Sequence, residues 1–217
     1  MKASVLEICV GKPREIDVNG ERVSSSIFKQ AVQGTVPLSL LNLQGDEQAN
    51  LKFHGGREKA VYAYSASYYP YWLAALGRET LEPSQFGQNI TVDGLPDDEV
   101  RIGDILQLGT ATVAVAQPRI PCAKLGVRLG NRDFATQFLL AGRLGYYLYV
   151  IEPGELSSGD EMCVIERPAH EITIADLWRT TFTQERDLDV ARQAMDFPHI
   201  DEGWKKRLRA LLKAADS

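Results

Sequence analysis

IGDILQLGTATVAVA, residues 102–116, contains two apolar runs on either side of a Gly109-Thr110 turn. Short runs bounded by glycine turns are typical of paired β-strands. Similar runs occupy residues 4–10, 60–65, 86–92, 145–151 and 162–165, and Asn19-Gly20 adds a hairpin signal. The pattern predicts at least seven short strands and only two helices before residue 166. We therefore predict a mainly β fold, a β-barrel with helical insertions.

The composition changes at Pro168, and apolar residues recur at helical spacing from there to the end. Three helices are predicted, beginning after Thr173, after Asp187 and near Asp201. The sequence thus predicts a barrel domain at residues 1–167 and a three-helix C-terminal domain at residues 168–217. The latter holds 8 cations and 9 anions, so we interpret its basic cluster, residues 205–209, as a solvated helix face.

Composition excludes several classes of protein. The 217 residues are 44% hydrophobic and 24% charged, as in ordinary globular proteins, and the formal charge is −5. A negative balance argues against binding a nucleic acid polymer. There is no 18-residue apolar run, so no membrane span is expected, and the charged N-terminus is unlike a secretory signal. We expect a cytoplasmic protein.

The three cysteines, Cys9, Cys122 and Cys163, show no metal-site or disulfide spacing. Cys9 and Cys163 lie in strand-like runs and are predicted to fill the core. Cys122 lies in QPRIPCAKL, residues 117–125, where prolines favour an ordered non-helical loop. Arg119 and Lys124 would favour the reactive thiolate. The local pattern fits a buried structural thiol equally well.

Other polar stretches have two readings each. Residues 24–29, SSSIFK, fit an edge strand with a solvated lysine or an anion cradle. Residues 54–59, HGGREK, combine adjacent glycines with two cations and fit either a tight turn or an anion-binding nest. The aromatic stripe of Tyr68, Tyr69 and Trp72 has helical spacing and indicates core packing.

Several motifs occur in one order along the chain, and together they resemble those of the MOSC domain family, the C-terminal domain type of molybdenum cofactor sulfurases. More narrowly, the chain resembles the YiiM-like branch, in which a three-helix tail is typical. The motifs are Ile27-Phe28-Lys29, Gly45-Asp46-Glu47-Gln48, His54-Gly55-Gly56, Tyr71-Trp72, Phe86-Gly87-Gln88-Asn89, Gly103-Asp104, Gln117 to Cys122, and Arg143-Leu144-Gly145-Tyr146.

The resemblance implies a molybdenum–pterin cofactor, with Cys122 as the metal ligand and catalytic residue. The cationic candidates for its phosphate are Lys29, Lys59, Arg119, Lys124 and Arg143. Asn89 and His54 would hydrogen-bond the pterin or the substrate. Asp46 would do the same or orient a basic side chain. The family is also associated with pyridoxal phosphate.

The implied reaction is reduction of N-hydroxylated compounds, particularly hydroxylaminopurine base analogues. Electrons would come from a separate flavin-dependent reductase, because the chain has no dinucleotide-binding fingerprint. A homodimer is compatible with the sequence. The alternative is a non-catalytic carrier that holds sulfur on Cys122 as a persulfide or holds the cofactor transiently. Gln88 and Arg57-Glu58 depart from the family pattern, and we expect both near the pocket mouth, where they would affect substrate choice.

Overall fold

The computed structural model describes residues 1–49 and 55–215 and contains a closed β-barrel. Seven strands pair in the order β12-β8-β9-β10-β6-β7-β1, and β1 pairs back with β12 to close the ring. Only the β6–β7 pair within that ring is parallel. The strands are β1 Lys2–Val10, β2 Arg14–Val18, β3 Glu21–Ser25, β4 Gln30–Ala31, β5 Val36–Leu38, β6 Val61–Ser65, β7 Ile90–Asp93, β8 Ile105–Leu108, β9 Ala111–Pro118, β10 Tyr146–Glu152, β11 Gly154–Leu156 and β12 Glu161–Glu166.

Alternate side chains along the strands point inward and fill the barrel. In β1 the side chains of Ala3 and Val5 are buried while their neighbours are exposed, as expected for a strand with one face on a core. β9 is buried along nearly its whole length because elements outside the barrel cover its second face. The predicted hairpin is confirmed: Asn19 and Gly20 both have positive φ and join β2 to β3.

The described residues contain six α-helices: α1 Tyr69–Leu76, α2 Ala123–Leu129, α3 Phe134–Ala141, α4 Ile174–Phe182, α5 Leu188–Ala194 and α6 Glu202–Ala215. Three of them precede residue 166, so the expectation of two helices there was wrong. The unpredicted helix is α2. It has only seven residues and includes Gly126, which weakens the helical pattern in the sequence.

An aromatic cluster packs α1 and α3 against the outside of the barrel. Trp72 of α1 lies 5.1 Å from Phe138 of α3 between ring centroids, and its indole N–H donates to the Tyr64 hydroxyl. Phe86 and Phe134 complete the buried group. The aromatic stripe therefore serves packing, as predicted from its spacing.

The three C-terminal helices cover the barrel. Thr173 and Asp176 form a capping box at the start of α4. Ile174, Trp204 and Leu208 are buried in the same apolar cluster as the barrel strands. Truncating residues 168–217 would therefore open the barrel core as well as remove the helices. No helix in the described ranges is both long and apolar enough to cross a bilayer.

Candidate functional site

Cys122 lies at the end of an irregular segment between strand β9 and helix α2. Pro118 ends β9, and Arg119 remains tied to the barrel because its backbone N–H donates to the Gly145 carbonyl at 3.1 Å. Gly145 has φ of 68°, and a Cβ there would lie 2.4 Å from the Ala63 carbonyl oxygen. A glycine is thus required where β10 begins beside the Cys122 segment. The thiol is partly exposed, so it is not core filler.

Cys122 lines a pocket of about 100 Å³, which we call the polar pocket. Its walls come from the β2–β3 hairpin, the segment around Asp46, the start of β7 and the Cys122 segment. The other polar side chains in its lining include Ser25, Ser26, Lys29, Asp46, Lys59, Asn89, Arg119, Lys124 and Tyr147. The structure therefore brings six of the predicted cofactor-binding residues together with Cys122, although they are spread over 96 positions of sequence, from 29 to 124.

Arg119 is the buried cation nearest in sequence to the thiol, and it is only 6% exposed. Its guanidinium lies over the Tyr62 ring at 4.9 Å, and its Nη1 has no hydrogen-bond partner within residues 1–49 and 55–215. Burial acts to lower the pKa of Arg119, but the oxygens of Tyr62 and Tyr147 and the Cys122 sulfur outweigh it and raise that pKa. Among the described residues, no carboxylate pairs with this cation.

Lys29 sits in the same pocket in a different electrostatic setting. Its ammonium pairs with the Asp46 carboxylate, and both side chains are less than 10% exposed. Asp46 also accepts from the Gly11 N–H at 2.8 Å and from Asn89 Nδ2 at 2.9 Å. Burial lowers the pKa of Lys29, and Asp46 opposes that effect. Asp46 thus orients a basic side chain, which is the second of the two roles considered from the sequence.

Asn89 is similarly engaged within the protein. Its Oδ1 accepts from the Tyr62 N–H at 3.1 Å, while its amide nitrogen donates to Asp46 and to the Cys9 carbonyl. The preceding Gly87 has φ of 83° and contacts Ile27 so closely that a Cβ would lie 2.8 Å from its Cγ1. Through these contacts the Gly87-Gln88-Asn89 motif links the pocket wall at Ile27, at Asp46 and at Tyr62.

The C-terminal helices reach the pocket through Asp201, which precedes α6. The carboxylate accepts from Lys59 Nζ at 2.6 Å and from Gln117 Nε2 at 3.1 Å. The Asp201 N–H donates back to Gln117 Oε1 at 2.8 Å. These hydrogen bonds lower the pKa of Asp201 although burial acts to raise it. Trp204 donates to the Pro118 carbonyl at 3.1 Å, so α6 is fixed directly to the Cys122 segment.

A second, larger cavity of about 670 Å³ also adjoins Cys122. We call it the α6 groove. It runs between the Cys122 segment and α6, and Lys59, Cys122 and Tyr147 line both cavities. The thiol thus stands where a small charged pocket meets a wider groove.

Several predicted placements were wrong. Arg143 is not brought to the polar pocket, because its guanidinium lies 4.0 Å from the Tyr71 ring centroid and donates to the Ala141 carbonyl. Gln88 is fully buried and bonds Tyr69 and Thr91, so it does not reach the pocket mouth. Arg57 donates to the Val150 carbonyl outside the pocket lining.

Three further residues singled out in the sequence are Cys163, His54 and Asp104. Cys163 is partly exposed and lies near Glu161, so only Cys9 is a core cysteine. His54 lies outside the described residues. The motif residue Asp104 accepts from the Arg101 N–H and from Arg167. It therefore joins the barrel to the segment leading into α4.

Sequence reasoning missed Tyr62 and Tyr147 in the polar pocket and Asp201 in the α6 groove, and it considered Ser26 only as part of a possible anion cradle. The hydroxyl run at residues 24–26 was a usable signal for Ser26. Tyr62 and Tyr147 sit on β6 and β10 within runs that indicated only strand, and Asp201 was considered only as a helix start. Pairing between β6 and β10 aligns Tyr62 with Tyr147, and no sequence pattern gives that register.

The described residues contain no group of three or more His, Cys, Asp or Glu side chains that could together hold a metal ion. Only Cys122 offers a thiol to the polar pocket. A metal whose remaining ligands come from an organic cofactor needs only one protein ligand, so this arrangement fits a cofactor-borne metal.

Fold and site together define a class: a closed barrel with helical insertions and a single thiol in a cation-lined pocket. The family model described as "MOSC domain" matches residues 50–163, and the chain belongs to the MOSC domain family. It is 34% identical to the uncharacterized protein YflK of Bacillus subtilis over 93% of this chain and 91% of that protein. It is 30% identical to the protein YiiM of Escherichia coli over 94% and 90% of the two chains.

The solved structure of YiiM from Geobacillus stearothermophilus superposes with a TM-score of 0.81 at 28% identity, covering 97% of this chain and 99% of that chain. A protein of Gibberella moniliformis named "Reductase" is 30% identical over 96% of this chain, which spans only 38% of the fungal protein. The resemblance to the YiiM-like branch is confirmed by these relatives.

Proposed function

We propose that this protein holds a molybdenum–pterin cofactor through Cys122 and reduces N-hydroxylated compounds, with hydroxylaminopurine-type bases as the substrate class. Membership of the MOSC family supports the cofactor, and the fungal relative named as a reductase supports the reaction type. One observation carries the proposal: two buried polar atoms that have no partner among the described residues, Arg119 Nη1 and Ser26 Oγ, belong to residues lining the same pocket as the Cys122 thiol.

The polar pocket fits the anionic part of such a cofactor. Two cations of the lining, Lys29 and Lys59, are neutralised by Asp46 and Asp201. Lys124 donates to the Ser24 carbonyl at 2.6 Å, and within the described residues neither Lys124 nor Arg119 forms an ion pair, although the exposed Glu47 also lines the pocket. Both cations are therefore available to an anionic ligand. Complete small-molecule sites usually measure about 300–1,000 Å³. A pocket of about 100 Å³ therefore accommodates only one end of the group.

When bound, the group supplies two electrons and a metal that accepts oxygen, and the protein supplies binding, orientation and protons. The reaction is R–NH–OH + 2 e⁻ + 2 H⁺ → R–NH₂ + H₂O, in which the N–O bond breaks and an N–H bond forms. Cys122 would provide the thiolate ligand. Arg119 and Lys124 would hold the anionic end, and Ser26 would donate a hydrogen bond to it.

Tyr147 is our candidate for holding one of the protons. It lines both cavities beside Cys122. Burial raises the pKa of Tyr147, and Arg119 opposes this only in part, so the hydroxyl stays protonated at neutral pH. A protonated phenol at the junction can donate to the hydroxyl oxygen that leaves as water.

Electrons would come from a separate flavin-dependent reductase in the cytoplasm. The matching region covers only 38% of the fungal relative, so the rest of that longer protein has room for an electron-donating domain.

The test is molybdenum analysis of protein made in a cofactor-competent host, combined with reduction of 6-hydroxylaminopurine by an artificial electron donor. We expect bound molybdenum and turnover in the wild type, and loss of turnover in Cys122→Ala. Cys163→Ala is the matched control, since it removes a partly exposed thiol outside both cavities. Full activity in Cys122→Ala would contradict the proposal. A sulfur adduct on Cys122 by mass spectrometry, without turnover, would favour the carrier function instead.

A further inference from the structure

We propose that the α6 groove is the substrate subsite and that it takes the N-hydroxylated purine as a 5′-phosphate nucleotide, with the phosphate held by Lys206 and Arg207. This inference rests on the proposed function for the reacting group. The ligand is inferred from the volume of the groove, its lining side chains and its charge.

The position of the groove is the first argument. Cys122 and Tyr147 line it as well as the polar pocket, so a ligand in the groove and a cofactor anchored in the polar pocket reach the same two side chains. A reaction between a cofactor and a substrate needs this arrangement, because both must reach one point without overlapping.

Size and wall chemistry are the second argument. A volume of about 670 Å³ falls within the usual range for a complete small-molecule site, whereas the polar pocket does not. Tyr147, Ile120 and Pro121 present aromatic and aliphatic surface along the groove, and the buried Trp204 packs behind them. Such walls suit the planar apolar faces of a purine.

Charge is the third argument and separates a nucleotide from a free base. Asp201 is the one carboxylate in the described lining of the groove, and it already pairs with Lys59. Lys206 and Arg207 therefore add two positive charges that this lining does not neutralise. A neutral base carries no charge to pair with these two cations, whereas a phosphate can accept hydrogen bonds from both side chains.

Two features of α6 make the solvated-face interpretation of the basic cluster incomplete. Lys206 and Arg207 line the groove, whereas Lys205 and Arg209 of the same cluster do not. Arg209 turns to Glu202 at 3.3 Å on the exposed side of the helix. Lys206 and Arg207 are thus the groove-lining members of the cluster, Lys205 is half-buried outside the groove lining, and the exposed Arg209 provides a natural control.

The first experiment measures binding to the cofactor-free protein by calorimetry, with AMP, adenosine and adenine as probes. We expect AMP to bind at least tenfold more tightly than adenosine. We expect that advantage to disappear in the double variant Lys206→Gln/Arg207→Gln and to persist in Arg209→Gln. Equal affinities for AMP and adenosine, no binding of AMP, or an unchanged preference in the double variant would each overturn the proposal.

The second experiment measures steady-state reduction of N⁶-hydroxyadenosine 5′-monophosphate and of 6-hydroxylaminopurine by the loaded enzyme. The double variant should raise KM for the nucleotide about tenfold and leave kcat and the kinetics of the free base unchanged. If the enzyme reduces the free base and the double variant leaves KM for the nucleotide unchanged, this inference is overturned while the proposed function stands. Absence of any reduction would overturn the proposed function, while AMP binding would still report on the groove. Competition between AMP and cofactor loading would assign the groove to the cofactor and overturn the substrate assignment.

Discussion

Two buried cations of the polar pocket, Lys29 and Arg119, have opposite surroundings. Lys29 pairs with Asp46, whose carboxylate is also held by Gly11 and Asn89. Arg119 faces phenols and a thiol, and no described residue is a hydrogen-bond partner of its Nη1. A buried charge without a partner is costly, so a fold retains one where a ligand completes it or where function needs it. The comparison assigns Lys29 to the architecture of the pocket and Arg119 to ligand binding.

The Arg119 side also contains a buried ionisable group, Asp97, that forms no ion pair within the described residues. Its carboxyl group accepts from the N–H groups of Leu144 and Gly145 at 2.9 and 3.0 Å, and Gly145 in turn accepts from the Arg119 backbone. The other carboxyl oxygen has no hydrogen-bond partner in the part of the chain that the structure describes. Burial raises the pKa of Asp97 to about 7, against these two hydrogen bonds. The contribution of this side of the molecule to the free energy of unfolding should therefore depend on pH.

The largest expected effect is a pH dependence of stability caused by Asp97. Its folded pKa of about 7 exceeds the ordinary value of 3.8, so the folded state keeps a proton that the unfolded state has lost. The contribution is fully present below pH 3.8 and is lost as the pH rises through 7, an effect of about 4 kcal/mol from the shift. Urea unfolding of wild type and Asp97→Asn between pH 4 and 8 measures it.

Asp97→Asn should remove that slope, because the amide stays neutral throughout. Asp98→Asn is the control, since Asp98 is the exposed neighbour. Parallel pH profiles for wild type and Asp97→Asn would show that Asp97 is already ionised in the folded protein.

The second effect concerns the Lys29 side. Asp46→Asn leaves the Lys29 ammonium buried without its counter-charge, and we expect a loss of about 3 kcal/mol in the free energy of unfolding. Glu47→Gln, at the exposed neighbouring position, should change it by less than about 0.5 kcal/mol. Adding Lys29→Met to Asp46→Asn should recover part of the loss. A loss below about 1 kcal/mol in the single variant would mean that the pair is not structurally important.

The third effect tests the role of the phenol between the two cavities. Tyr147→Phe keeps the ring and removes the proton, so kcat for 6-hydroxylaminopurine should fall about 100-fold, or about 2.7 kcal/mol in the barrier. Molybdenum content should stay unchanged. Tyr149→Phe, two residues further along the same strand and outside both cavities, is the control. An unchanged kcat in Tyr147→Phe would exclude the proton role.

The smallest expected effect on stability is that of Arg119→Gln, about 1 kcal/mol or less, because no ion pair is broken. Retention of molybdenum after dialysis should nevertheless fall at least tenfold, in contrast to Asp46→Asn, where stability falls first. Arg128→Gln is the control, since Arg128 lines neither cavity and donates to the Gln85 and Pro83 carbonyls. A destabilisation of about 3 kcal/mol in Arg119→Gln would erase the distinction between the two cations.

The strands and C-terminal helices were predictable because each is a local pattern. Apolar alternation gave the barrel strands, Asn19-Gly20 gave the hairpin, and Thr173 with Asp176 gave the cap of α4. Helix α2 was not predictable, because a short segment after Pro121 with a central glycine has weak helical propensity.

The contacts inside the site were beyond sequence reasoning, because they depend on how distant segments meet. Asp201 pairs with Lys59, which is 142 positions away in the sequence, and Lys29 pairs with Asp46, which is 17 positions away. Arg143 shows the converse error. It belongs to a motif whose Gly145 lies beside the Cys122 segment, yet its side chain points to Tyr71. Motif membership predicts the position of a backbone better than the direction of a side chain.

The measurement that tests the central claim most directly is X-ray absorption at the molybdenum edge of the loaded protein. Cys122→Ser, which retains an oxygen at the same position, is compared with wild type and with Cys163→Ser. If Cys122 is the metal ligand, wild type and Cys163→Ser will show one more sulfur neighbour of molybdenum than Cys122→Ser, in which an oxygen replaces it. The same sulfur count in all three proteins would contradict the assignment of Cys122 as the ligand.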